Sequence, residues 1–134
     1  MVSMNDDLAR VLRLLRDGLA AQYGDRLDRV LLYGSRARGD ARPESDVDLL
    51  VVLRGEVDPV AEIRATEYLV AGLSLEHDLV LSCVFLSVEE YQDEADLFLR
   101  NVRREAFAVD GAPAAAWSGA GAAGSNPLLV DKTR

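Results

Sequence analysis

The sequence predicts an α/β (α+β) domain: a small mixed β-sheet of about three strands flanked by helices. Three features predict it. Leu8, Val11, Leu12, Leu15 and Leu19 recur at the spacing of one helix face. Val47–Leu53 is a continuous apolar run, the pattern of a strand covered on both faces. A second apolar run, Leu79–Leu86, follows after a helix of roughly three to four turns, the crossover that parallel strands require.

The elements follow in order. Asp6 or Asp7 caps the first helix, which ends near Gly24. Val30–Tyr33 is a short strand stopped by Gly34, and residues 35–45 read as a turn with one helical turn in it. The short loop lets this strand and Val47–Leu53 run antiparallel. Asp58-Pro59 opens the crossover helix, a capping carboxylate followed by proline at the first helical position, and the helix runs to about Ser74 or Glu76. Asp78–Leu86 is the third strand. Ser87-Val88-Glu89-Glu90 is a capping box opening a C-terminal helical region, whose later part, Leu97–Val109, carries Phe98, Val102 and Phe107 with Arg100, Arg103 and Arg104 between them. From Gly111 the chain turns to Ala, Gly, Ser and Pro. Residues 1–110 are therefore expected to fold as one domain and 111–134 to form a disordered tail.

Composition excludes several functions. A net charge of −8 argues against direct nucleic-acid binding, which needs clustered Lys and Arg. With one cysteine there is no intrachain disulfide, and Cys83 reads as a buried inert thiol in an apolar run. One cysteine and one histidine do not make a zinc site. No apolar stretch approaches the ~20 residues that span a bilayer, and Met1–Asp7 is acidic with no long apolar core. No membrane association and a cytoplasmic location are expected. The only lysine, Lys132, lies in the tail, and there is neither a Gly-x-x-x-x-Gly-Lys-Ser/Thr loop nor a Gly-x-Gly-x-x-Gly turn after a strand.

What remains is Gly34-Ser35, ten residues, then Asp46-Val47-Asp48. Two carboxylates two residues apart on a strand share one face, and such a pair holds hard divalent cations, Mg²⁺ being the usual one beside a polyphosphate. The Gly34-Ser35 turn offers backbone N–H groups and a hydroxyl to a phosphate, helped by the field of the following helical turn. Arg36 and Arg38 either neutralise triphosphate charge as guanidinium forks or pair with Asp40 and Glu44 on the surface. The crossover brings the start of the third strand back to the end of the sheet that holds Asp46. Asp78 is therefore a third candidate carboxylate, as a metal ligand or as the base for an attacking hydroxyl; if it faces away, Glu76 is the nearest substitute. His77 reads as a surface or strand-edge residue. The arginines at 100, 103 and 104 form either a solvated helix face or a docking patch.

Gly34-Ser35-Arg36-Ala37-Arg38-Gly39-Asp40, followed by Ser45-Asp46-Val47-Asp48-Leu49-Leu50, resembles the signature of the DNA polymerase β-type nucleotidyltransferase superfamily. Within it, the chain resembles the minimal nucleotidyltransferases that form one half of bacterial toxin–antitoxin pairs, over about residues 8–110. The resemblance implies the polymerase β-type nucleotidyltransferase fold, Mg²⁺ as cofactor, and transfer of AMP from ATP to a hydroxyl. In the toxin–antitoxin setting that hydroxyl is a tyrosine on a partner HEPN-family RNase, so the chain is expected to act as an antitoxin. Two alternatives stand beside this: a binding-only antitoxin or regulatory module, and an aminoglycoside-like small-molecule nucleotidyltransferase completed by another subunit.

Overall fold

A computed structural model describes residues 6–42 and 44–109; the expected tail at 111–134 lies outside the described residues. Helix α1 (Asp6–Tyr23) is followed by a 3-10 turn (Gly24–Arg26), strand β1 (Leu27–Tyr33) and one helical turn, α2 (Ser35–Arg38). Strand β2 (Val47–Leu53), helix α3 (Pro59–His77) and strand β3 (Leu81–Ser87) make the crossover unit. Two short helices, α4 (Val88–Tyr91) and α5 (Leu97–Glu105), lead to a two-residue strand, β4 (Phe107–Ala108).

The sheet is mixed, in the order β3-β2-β1-β4. As expected, β1 and β2 are antiparallel and β2 and β3 parallel. β2 is central, and its apolar side chains are wholly buried. Hydrophobic burial at about 25 cal/mol per Å² is thus concentrated on the strand that begins beside the candidate site. α1 buries Leu8, Val11, Leu12, Leu15 and Leu19, the face that the sequence marks out. It packs closely against α3: a Cβ added at Gly18 would stand 2.7 Å from Leu69 Cδ1. The Tyr23 hydroxyl donates to Glu62 Oε1 at 2.7 Å and Gln22 Nε2 to the Ala65 carbonyl at 2.8 Å. α5 lies on the other side of the sheet, where Phe98 meets the Tyr33 ring edge-on, centroids 5.6 Å apart.

One short strand extends the expected sheet, and one expected boundary needs correction. The sheet has four strands, because the chain leaves α5 at Ala106 in an extended conformation and pairs Ala108 with Leu31 and Phe107 with Leu32. Two apolar residues at the end of an amphipathic helix are too few to show a strand period. The third strand begins at Leu81 and not at Asp78, because α3 continues to His77 and ends on Asp78 in the left-handed conformation, φ 56 and ψ 47. The Asp78 N–H caps the helix on the Ser74 carbonyl, so this residue terminates a helix instead of opening a strand.

Candidate active site

The antiparallel register sets Tyr33 directly opposite Asp48. Gly34, the next residue, therefore turns the chain beside the start of β2. Its conformation, φ 76 and ψ −155, is one that side chains disfavour. Space imposes the same choice: a Cβ here would lie 2.5 Å from Asp48 Oδ2. The glycine thus lets the backbone approach the carboxylate closely, and joins the two halves of the motif.

Beyond it, the Ala37 and Arg38 N–H groups donate to the Gly34 carbonyl, both at 3.0 Å, closing α2. Ala37 is buried and anchors the turn from below. The N–H groups of Ser35 and Arg36 precede these first helical bonds, as do the opening amides of any helix. Gly39, with φ 86, ends the turn.

The loop back to Asp46 is tied to the same turn. Arg36 Nη2 donates to the Ser45 carbonyl at 2.9 Å, and Ser45 Oγ accepts from the Arg42 N–H at 2.9 Å. Arg36 thus positions the residue before Asp46. Arg38 Nη1 donates to Glu105 Oε2 on α5 at 3.0 Å, and its Nε lies 3.4 Å from Asp40 Oδ2. Of the two surface partners expected for these arginines, Asp40 is found; Glu105 was not foreseen, since only the docking of α5 brings it near.

Asp46 is exposed and Asp48 partly buried. Burial, and then the charge of Asp46, push the Asp48 carboxyl above the usual carboxylate range, and the nearby Arg38 guanidinium offsets part of this. Burial and the Asp48 charge likewise raise the Tyr33 phenol. Two like charges held together, one of them desolvated, suit a cation bound through carboxylate oxygens, so the residues present fit a Mg²⁺ ion on Asp46 and Asp48.

Asp78 stands at the C-terminal cap of α3. With Leu79, Val80, Glu44 and Ser45 it lines a hollow of about 390 Å³. Among the described residues, no group of three or more His, Cys, Asp or Glu is arranged to hold a metal ion. The left-handed cap takes Asp78 out of the strand alternation on which its expected convergence with Asp46 and Asp48 was based. The substitute, Glu76, is an exposed residue of the last turn of α3. Ser45 and Glu105 are the contributors that sequence reasoning missed; Ser45 stands within the motif, whereas Glu105 carries no local signal. No helix among the described residues is long and apolar enough to cross a membrane.

The sequence model of the nucleotidyltransferase domain matches residues 12–107. "Putative protein adenylyltransferase MJ0604" of Methanocaldococcus jannaschii is 31% identical over 103 residues, covering 76% of this chain and 95% of the relative. "Putative protein adenylyltransferase MJ0141" of the same organism is 32% identical over 76 residues, covering 57% of this chain and 76% of the relative. The fold is similar to that of a crystal structure of a toxin–antitoxin with AMP-PNP, with a TM-score of 0.51 at 17% identity, covering 96% of this chain and 86% of the other. The chain belongs to the nucleotidyltransferase domain family, a family of transferase enzymes.

Proposed function

We propose that the protein transfers AMP from ATP, with Mg²⁺, to a hydroxyl of a partner protein. The acceptor in this reading is a tyrosine of a HEPN-family RNase toxin, which the modification silences, with this chain as its cytoplasmic antitoxin. The observation that carries the reading is the close approach of the Gly34 turn to the Asp48 carboxylate, which supports a phosphate-binding role for the turn beside a cation held by the aspartates. Support for the nucleotide and for a protein acceptor comes from the two relatives named as protein adenylyltransferases. Support for a toxin partner comes from the fold shared with a toxin–antitoxin structure that contains AMP-PNP.

Each residue then has a task. Ser35, through its hydroxyl and N–H, faces the terminal phosphates, and Gly34 lets them approach because no side chain intervenes. Arg36 holds the Ser45 carbonyl and so fixes the entry to Asp46. Arg38, tethered by Glu105, adds positive charge beside the pair. Asp46 and Asp48 would hold the cation, which when bound supplies neutralisation of triphosphate charge and a lowered pKa for the acceptor hydroxyl. In the transfer, the acceptor oxygen forms a bond to the α-phosphorus, the bond from that phosphorus to the bridging oxygen breaks, and pyrophosphate leaves. The hydroxyl proton passes to water.

Intact mass of the partner encoded beside this chain, after co-expression, tests the reading. The expected result is an AMP-sized increment with the wild type and none with Asp46→Asn/Asp48→Asn. An unmodified partner that both versions still bind and silence would overturn transfer and leave a binding module.

A further inference from the structure

Strand β3 is an edge strand, and its parallel register with β2 sets Ser82 directly beside Asp48, with Val47 beside Leu81 and Leu49 beside Cys83. Directly paired residues on neighbouring strands project to the same face, about 4.8 Å apart. Asp48 therefore shares its face with positions 82 and 84, occupied by Ser82 and Val84, while Asp46 and Val80 stand just before the first residues of their strands. Ser82 stands closest to Asp48 and is exposed. From the crossover onward, the last carboxylates before β3 are Glu76 and Asp78, in the final turn and cap of α3. From Leu79 to Ser87 there is none.

On the nucleotidyltransferase reading above, we infer that Ser82 occupies the place of a third cation-binding carboxylate, so that this chain holds one divalent ion with its nucleotide and not two. A serine offers a single neutral oxygen, whereas hard cations are held through charged carboxylates and otherwise keep their own waters. The valines on either side offer no oxygen at all. One ion on Asp46 and Asp48 is shared with the triphosphate. A second would need a ligand from outside the chain, and the exposed β3 edge leaves room for one from the acceptor.

The inference is testable by counting ions. Mn²⁺, read by electron paramagnetic resonance, is titrated into the protein saturated with the α,β-methylene analogue of ATP. The analogue alone serves as the blank and calorimetry reports its binding. The wild type is expected to hold one Mn²⁺ per chain and Ser82→Asp two. Ser82→Asn, similar in size but uncharged, is expected to keep one. Position 82 is exposed on an edge strand, and an unchanged melting transition for both variants establishes that they fold. Two ions on the wild type, or one on a folded Ser82→Asp, overturns the inference while leaving nucleotide transfer intact. Failure of the wild type to bind either analogue or ion overturns the inference and the nucleotide site together, so the two claims fail in different ways.

Discussion

Gly34 ties the residue scale to the chemistry, because φ 76 and the 2.5 Å approach of a notional Cβ to Asp48 Oδ2 act on the same position. Gly34→Ala should cost about 1–3 kcal/mol of stability from backbone strain and push the Asp48 carboxylate aside. Urea unfolding should report the first effect and nucleotide calorimetry a larger relative loss of affinity. This residue was legible in the sequence, since a glycine at a strand end followed by Ser35 and the Asp-x-Asp pair is a local pattern. Ser82 was not: its place beside Asp48 depends on a parallel register set by residues more than thirty positions apart. Cys83 offers a second test. It lines an apolar hollow with Ile63, Thr66, Val70 and Phe85, and burial pushes its thiol up to about 12 from an ordinary 9.0. Labelling with iodoacetamide at pH 8 should be slower than in the unfolded chain by on the order of a hundredfold or more. The folded state holds this proton where the unfolded chain releases it. The corresponding stability is therefore complete below about pH 9 and is lost as pH rises from about 9 toward about 12.

At the scale of elements, local chemistry predicts helix starts well and strand edges poorly. The capping box on α4 is present as read: Ser87 Oγ accepts from the Glu90 N–H at 3.0 Å, and Glu90 Oε1 accepts from the Ser87 N–H at 2.9 Å. Asp58 likewise caps α3, accepting from the Ala61 N–H at 3.3 Å. Ser87→Ala should destabilise the fold by about 1 kcal/mol, visible as a lower urea midpoint with an unchanged slope. Where a helix ends is harder to read, because the stop at Asp78 relies on a left-handed aspartate, a role that glycine usually fills. That one conformation decides whether Asp78 lies in the strand or outside it. β4 was illegible for a different reason, since two residues gain strand character only by pairing with β1.

For the whole molecule, the sheet order makes β2 both the centre of the core and the carrier of Asp48, with Asp46 just before its first residue. Leu50, two residues beyond Asp48 on the same strand, is completely buried. Leu50→Ala should cost about 2–5 kcal/mol, measurable as a lower thermal midpoint. The mixed sheet, its antiparallel and parallel pairings and its central strand were legible because apolar runs and connection lengths constrain topology. Buried ion pairs were not. Asp28 meets Arg29 at 3.3 Å and Arg54 at 3.0 Å, beside an irregularity in the β1–β2 register that no local pattern announces. In the proposed reaction this scaffold moves a nucleotide and not a terminal phosphate. The test is to incubate the protein and its partner, produced separately and so unmodified, with ATP labelled either at the α- or at the γ-phosphorus. Label on the partner from α-labelled ATP alone, lost with Asp46→Asn/Asp48→Asn, is the predicted result; label from γ-labelled ATP, or none from either, would contradict it.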